Sequence, residues 1–287
     1  MAVRQEERLS MGATEPRRVS TASADGTALR LLEFGEPAAT PPVLFVHGAF
    51  GHAHVWDFVV RELPAGMHCL AIDLRGHGES GWAPAPRGYA FERLAEDIAA
   101  AVAVAGRPPL LVAHSMAAAV GMQFAGTRPG AVVGCVFIDI DPLAPPHQIT
   151  HLNEVGANSP KRYPAFERVL ARQERSTAKA TPEVHRHLAE HSFEQRDGEW
   201  VERFDPAFLR TLRQWDVRPY LPDITVPVLV LRAGIQSVMS DAGYDELLAA
   251  IPHARGEIIA DGTHQMHLDA PAATAAAILR FLGEIAG

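Results

Sequence analysis

The sequence predicts an α/β protein with a mostly parallel sheet and helices on both faces. Short apolar segments, typical of strands buried on both sides, alternate with segments of helical length and periodicity. One apolar segment, residues 110–113, runs through His114 directly into a corner at Ser115, after which small helix-forming residues follow. Alternation of this kind favours parallel strands joined by helical crossovers, with ligands bound at the carboxyl ends of the strands.

Composition narrows the class of protein. The chain has 287 residues, 47% of them hydrophobic, which suits one large domain with an inserted subdomain. A formal net charge of -8 argues against a nucleic-acid partner, and no apolar run approaches the roughly 20 residues that span a bilayer. We therefore expect a small-molecule substrate and no nucleic-acid or membrane partner, and we leave monomer or homodimer open.

The amino-terminal segment, residues 1–18, is charged and lacks the apolar centre of a signal peptide. We interpret it as a flexible arm of a cytoplasmic protein. Asp25-Gly26 lies between two strand-like runs and predicts an antiparallel hairpin. The elements predicted from there to residue 138 are strands 19–22, 28–34, 43–47, 67–73, 110–113 and 132–138, and helices 56–63, 91–105 and from Ser115 to near 128.

A polar segment follows, in which charged residues, histidines and prolines dominate and the periodicity is helical. At about 80 residues it is too long for a loop, so residues 142–221 are predicted to form a helical cap. Residues 19–141 and 222–287 would then form the core. The remaining elements are predicted to be strands 225–232 and 256–260 and helices 241–250 and 271–285.

Ser115 is a candidate nucleophile. A strand that turns straight into a helix strains the residue at the corner and exposes its side chain at a helix amino terminus, which favours negative charge. The alternative is a serine that only caps the helix. Ala113 and Ala117 stand where glycine is usual in this motif, and we leave open what their methyl groups do.

A carboxylate and a histidine are predicted to join this serine. Asp139 ends the strand after the serine's helix, and His264 follows the last strand, so all three lie at one edge of the sheet. His264 suits a general base, with His267 as its rival. The His-x-x-His spacing of these two is not completed by a cluster of Cys or carboxylates, so we predict no metal.

These motifs together resemble the α/β-hydrolase family, from about residue 19 onward. The matching residues are His47-Gly48, residues 73–80 (DLRGHGES), the corner at Ser115, and Gly262-Thr263-His264. The resemblance implies an eight-stranded, mostly parallel sheet flanked by helices, with a helical cap inserted between core strands six and seven. It also implies a Ser-acid-His triad that needs no metal or organic cofactor.

The acid of the triad departs from the family's common pattern. In most members it follows strand seven, three residues after a glycine; here that place, after Gly234, is taken by Ser237. Residues 137–142 (FIDIDP) resemble the Asp-Ile-x-Pro signature of an esterase subgroup whose acid follows strand six. The resemblance therefore favours Asp139. Asp141 and Asp241 remain alternatives, with Asp245 further along the same helix.

The remaining site residues also follow from the resemblance. The backbone N–H groups of Ala49 and Met116 are expected to form the oxyanion hole. Phe50 and His114 are candidate substrate-binding residues, with packing in the core as the alternative role. Apolar cap residues are expected to line a hydrophobic pocket: Tyr163, Phe166, Phe193, Trp200, Phe204, Phe208, Leu212 and Trp215.

The sequence thus predicts a serine hydrolase that cleaves a carboxylic ester or lactone through an acyl-enzyme. Two alternatives of other classes stay open. One is a lyase or eliminase that tailors a natural-product intermediate on the same fold, and the other is a non-catalytic ligand-binding protein. The two alanines beside Ser115 and the serine at position 237 keep both alternatives open.

Overall fold

The computed structural model describes residues 15–159, 161–177 and 179–286, so most of the predicted arm lies outside the described residues. Its main sheet has eight strands, and a second sheet of three strands lies in the insertion. The main-sheet strands are β1 (Arg17–Ala22), β2 (Ala28–Phe34), β3 (Val43–Val46), β4 (Cys69–Asp73), β5 (Leu110–His114), β6 (Gly134–Ile138), β10 (Val228–Ala233) and β11 (Ala254–Ile259).

The order across this sheet is β1-β2-β4-β3-β5-β6-β10-β11. The β1–β2 hairpin and the β2–β4 pair are antiparallel, and every other pair is parallel. The predicted fold class is therefore confirmed. β1 begins at Arg17, inside the predicted arm, because Arg17 lies opposite Glu33 in the hairpin and forms an ion pair with it.

Helices cover both faces of the sheet, and a separate apolar cluster lies under each layer. One layer consists of α2 (Phe91–Ala105), α3 (Met116–Thr127) and α8 (Asp241–Ala250). The other consists of α1 (Asp57–Arg61), α9 (Met266–Asp269) and α10 (Pro271–Ala286). Burial on both faces explains why these strands are almost entirely apolar. None of the described helices combines the length and the apolar character that a membrane-spanning helix needs.

Helices α2 and α8 have the predicted bounds, whereas the predicted helix 56–63 is two shorter pieces. A 3-10 turn covers Ala53–Trp56, and α1 follows from Asp57 to Arg61. Cys69 in β4 and Cys135 in β6 are buried free thiols, as expected of core residues. Burial raises the pKa of the Cys69 thiol to about 12, so it stays protonated.

The insertion between β6 and β10 is helical as predicted, but it also contains strands. Its helices are α4 (Pro146–Ala157), α5 (Phe166–Ser176), α6 (Pro182–Ser192) and α7 (Pro206–Arg210), and its strands are β7 (Arg162–Tyr163), β8 (Phe193–Arg196) and β9 (Glu199–Glu202). The three strands pair in the order β7-β9-β8.

Candidate active site

Ser115 occupies a strained corner between β5 and α3. Its backbone has φ 56° and ψ −133°, a region that non-glycine residues rarely adopt. Its N–H donates to the carbonyl oxygen of Ile138 at 2.8 Å, which ties the corner to the end of β6. The sheet therefore holds the serine in this conformation.

The two alanines beside Ser115 are accommodated without loss of this geometry. Ala113 and Ala117 are both fully buried. The close contact between helix and sheet occurs one turn further on, where a Cβ at Gly121 would lie 3.0 Å from the Phe137 ring and 3.4 Å from the Leu111 side chain. Gly121 therefore lets α3 approach the sheet closely. In the usual motif, the glycines beside the serine have this role.

A continuous chain of hydrogen bonds connects Ser115, His264 and Asp139. Ser115 Oγ lies 3.1 Å from His264 Nε2, and His264 Nδ1 lies 2.8 Å from Asp139 Oδ2. His264 belongs to the loop after β11, and Asp139 follows the last residue of β6. The three side chains that the sequence placed at one edge of the sheet are thus in contact.

Asp139 is fully buried and accepts several hydrogen bonds besides that from His264. The N–H groups of Ala233 and Val238 each donate to it at 3.0 Å, and the Ser237 hydroxyl donates to Oδ1. Burial by itself would raise the pKa of this carboxyl. The hydrogen bonds from His264, Ser237 and Ala233 outweigh it, so the pKa lies below its ordinary value and Asp139 stays ionised.

Ser237 has a role that the sequence analysis missed. In the sequence, Ser237 only takes the place where most members of the family have the acid. In the structure its hydroxyl bonds the oxygen of Asp139 that does not face His264. The sequence pattern does not show that β6 and β10 pair directly, which is what brings Ser237 next to Asp139.

The alternative acids have other partners. Asp141 Oδ1 accepts from the backbone N–H of Ser240 at 2.9 Å and so supports the start of α8. Asp241 is largely exposed and forms an ion pair with Arg232. Asp245 is exposed on α8. The described contacts therefore bring Asp139, and none of these three carboxylates, to His264.

The loop after β3 packs closely against the serine. A Cβ at Gly48 would lie 2.8 Å from Ser115 Cβ, so only glycine fits there. Ala49, the next residue, lines the cavity over Ser115, and Met116 is the first residue of α3, where backbone N–H groups have no intrahelical partner. The two expected oxyanion donors thus belong to the segments that adjoin the nucleophile.

His47 connects this loop to the next one. Its Nδ1–H donates to the Gly48 carbonyl oxygen at 2.8 Å, and its Nε2 accepts from the Leu74 N–H at 3.1 Å. Burial lowers the pKa of His47 to about 4, so the ring is neutral. Arg75, in the loop after β4, is also buried and pairs with Asp97 and Asp25. The 73–80 segment thus connects the loop after β3 with the loop after β4.

His114 supports the histidine loop. Its Nε2–H donates to the His264 carbonyl oxygen at 2.7 Å, and its ring centroid lies 4.6 Å from that of His264. It also lines the cavity, so both predicted roles, packing and contact with a ligand, remain compatible with its position. His267, the rival base, is buried against Trp56 at 5.0 Å, and burial lowers its pKa to about 3.

A cavity of about 290 Å³ lies over Ser115 and His264, between the core loops and the insertion. Of the eight cap residues expected to line an apolar pocket, Phe204 lines this cavity, and Leu212 and Trp215 line a separate cavity beside the start of α2. Phe204 packs on Phe50, with ring centroids 5.2 Å apart. Phe193 instead lies in a small apolar cluster inside the cap, and Phe208 in the core.

Polar side chains from the cap complete the lining. Gln173, Ser176 and Thr177 come from the end of α5 and the residue after it. Arg172 also lines the cavity and pairs with Glu202 at 2.6 Å. The cavity therefore has an aromatic wall and a polar wall, which sequence periodicity could not predict because the lining residues come from separate cap elements.

Comparison with known proteins identifies the family. The Alpha/beta hydrolase family model matches residues 43–277. Esterase Rv0045c of Mycobacterium tuberculosis is 27% identical over 262 residues, covering 86% of this chain and 83% of that protein. Esterase YbfF of Escherichia coli is 26% identical over 256 residues, covering 85% of this chain and 93% of that protein.

Among solved structures, E-2-(acetamidomethylene)succinate hydrolase superposes with a TM-score of 0.81 at 24% identity. The match covers 93% of this chain and 100% of that one, and it shows a shared fold. The prediction of an α/β-hydrolase enzyme is thereby confirmed, and the chain belongs to the Alpha/beta hydrolase family.

Proposed function

We propose that the protein is a serine hydrolase that cleaves carboxylic esters through a covalent acyl-enzyme. The observation that carries this proposal is the chain of hydrogen bonds from Ser115 Oγ through His264 to the ionised Asp139. The two relatives named above are esterases, which supports the same reaction class. A lactone, which is a cyclic ester, would be opened by the same steps.

In the first half-reaction His264 Nε2 takes the hydroxyl proton as Ser115 Oγ attacks the ester carbonyl. Asp139 keeps the ring oriented and stabilises the imidazolium that forms. The N–H groups of Ala49 and Met116 hold the oxyanion, each worth about 3 kcal/mol in the transition state. His264 then returns the proton to the alkoxide leaving group, and the acyl group stays on Ser115.

In the second half-reaction water attacks the acyl carbon while His264 takes its proton. Collapse of the tetrahedral intermediate breaks the bond to Ser115 Oγ, which recovers its proton from His264. The carboxylic acid leaves, and the enzyme returns to its first state. The strained backbone of Ser115 keeps its hydroxyl at the cavity floor throughout.

The cavity indicates the size and polarity of the substrate. About 290 Å³ suits a small ester, and the lining combines the Phe50–Phe204 aromatic pair with the polar groups of Gln173, Ser176 and Thr177. We therefore propose a small ester with one apolar and one polar side, in preference to a long-chain lipid.

A fluorophosphonate probe tests the nucleophile directly. We expect stoichiometric labelling of the folded protein and none of the Ser115→Ala variant, with hydrolysis of p-nitrophenyl acetate lost in parallel. Failure of the folded wild-type protein to react would overturn the assignment of Ser115. Labelling without turnover of a panel of acetyl to octanoyl esters would overturn ester hydrolysis and favour the lyase interpretation.

A further inference from the structure

Three histidines from two parts of the fold meet beside the cavity. His54 lies in the 3-10 turn after β3, while His187 and His191 lie one turn apart on cap helix α6. Each offers a ring nitrogen, and these nitrogens lie within 4.8 Å of one another. The rings of His54 and His191 are stacked with centroids 3.6 Å apart.

A buried carboxylate fixes two of these rings. Asp57 Oδ2 accepts from His54 Nδ1 at 2.9 Å and lies 3.1 Å from His187 Nε2. When these nitrogens donate to Asp57, the other nitrogen of each ring keeps a lone pair. Metal-binding histidines are commonly held by a carboxylate in this way. Asp57 is 7% exposed, and its Oδ1 has no hydrogen-bond partner among the residues that the structure describes.

We propose that His54, His187 and His191 form a binding site for a divalent transition-metal ion of the zinc type, with Asp57 supporting the ligands. Imidazole nitrogen is a preferred ligand of such ions, and histidines at i and i+4 present both rings on one helix face. Zinc–nitrogen bonds of about 2.0–2.1 Å imply ligand nitrogens about 3.4 Å apart in a tetrahedral site. Binding would require the stacked rings of His54 and His191 to rotate until a lone pair of each points to the ion.

The site is open to an ion from solvent. The side chains of His54 and His187 are 18% and 14% exposed, so the rings are accessible without unfolding. Asp57 provides negative charge in contact with two of the rings, and the three imidazoles provide the ligands. A fourth position would be left for water or for another ligand, which is the arrangement of an open zinc site.

Such an ion would connect the cap to the core. His54 belongs to the core loop, and α6 belongs to the insertion. Ser192, next to His191, forms a hydrogen bond through its hydroxyl with His52 Nε2 at 3.0 Å. Ser192 and His52 both line the cavity. The ion would therefore fix α6, and with it one wall of the cavity, against the loop after β3.

Nothing in the local sequence pattern links His54 to the cap. His54 and His187 are 133 residues apart, and only the docking of α6 on the loop brings them together. The chain also contains a second i, i+4 pair, His147 and His151, exposed on α4. This pair has the same spacing without the core histidine and provides a matched control.

Zinc titration of the EDTA-treated full chain, followed by calorimetry, tests the proposal. We expect one zinc ion per chain and a rise in Tm on zinc addition. Both His54→Gln and His187→Gln/His191→Gln should weaken zinc binding by at least about 100-fold, and Asp57→Asn by about 10- to 100-fold. His147→Gln/His151→Gln should bind as wild type does.

The site is independent of the proposed esterase activity, so Ser115→Ala should bind zinc with wild-type affinity. Circular dichroism and Tm without metal verify that each variant is folded. The proposal is overturned when wild type binds no more tightly than His187→Gln/His191→Gln. It is equally overturned when a folded His54→Gln variant keeps wild-type affinity, because the site would then not join cap and core.

Discussion

Two histidine–aspartate pairs lie beside the same cavity. In each, the histidine Nδ1 bonds the carboxylate, and the pairs differ in what lies near the far nitrogen of the ring, Nε2. In His264–Asp139 the far nitrogen faces a serine hydroxyl at 3.1 Å. In His54–Asp57 the neighbouring ring is another imidazole, that of His191, stacked at 3.6 Å. Both carboxyls are buried, and hydrogen bonds from histidine help to hold the pKa of each below its ordinary value against the effect of burial.

The difference shows that the histidine–carboxylate pair does not by itself determine chemistry. An imidazole held by a carboxylate becomes a better base towards a hydroxyl and a better ligand towards a cation. A single strained serine makes the first site suited to acyl transfer. Two further histidines in place of a hydroxyl make the second suited to an ion.

The largest effect is expected from Asp139→Asn, which removes the charge behind His264 and favours the wrong tautomer. We expect kcat for p-nitrophenyl acetate to fall about 10⁴-fold while the fold persists. Asp241→Asn, a change at an exposed carboxylate paired with Arg232, is the matched control and should leave kcat within about twofold. Comparable kcat values for the two variants would contradict our choice of acid.

Gly48→Ala should disturb the position of Ser115 while leaving the His264–Asp139 pair unchanged. The added methyl would lie 2.8 Å from Ser115 Cβ and 3.0 Å from His114 Nδ1, so the loop or the serine must shift. We expect about a 100-fold loss of kcat and about 1–3 kcal/mol of lost stability. Gly283→Ala, with open space around the new methyl, is the control, measured by the same kinetics and by urea unfolding.

Ser237→Ala tests the donor that distinguishes Asp139 from Asp57, whose Oδ1 has no partner within the described part of the chain. Loss of a hydrogen bond to the carboxylate should raise the pKa of Asp139 and lower kcat/KM about tenfold. The acid limb of the pH–kcat/KM profile should move to higher pH. Ser237→Thr keeps the hydroxyl and should retain the wild-type profile; an unshifted profile in Ser237→Ala would argue against this role.

A smaller effect is expected from two buried histidines, His47 and His267. Burial lowers the pKa of His47 to about 4 and of His267 to about 3, so both stay neutral in the folded protein while the unfolded chain binds protons near pH 6.5. Their contribution to stability is complete above pH 6.5 and is lost as the pH falls towards 4. In that window each of the two rings should lower the free energy of unfolding by about 1 kcal/mol for every pH unit of acidification.

Urea unfolding between about pH 7 and pH 5 measures this slope. His267→Gln should reduce it by about one proton, whereas His147→Gln, a change at an exposed histidine on α4, should not. A free energy of unfolding that is independent of pH across this range would show that the buried rings take up protons in the folded state.

Local patterns in the sequence determined most of the core. The apolar runs of β3 to β6 are typical of strands buried on both faces, and helices α2 and α8 have the bounds that their sequence patterns predicted. Ser115, Asp139 and His264 each follow a core strand, and the carboxyl ends of parallel strands share one edge. Their convergence could therefore be predicted from the chain.

Tertiary structure alone decided the features that depend on contacts between distant segments. Ser237 donates to Asp139 because β10 pairs with β6, and Gly121 fits α3 to the sheet beneath it. The cap contains a three-stranded sheet and places Phe204, but not its other aromatic residues, in the cavity. The meeting of His54 with His187 likewise depends on how α6 docks, because hydrophobic periodicity encodes which face is buried and not which partner covers it.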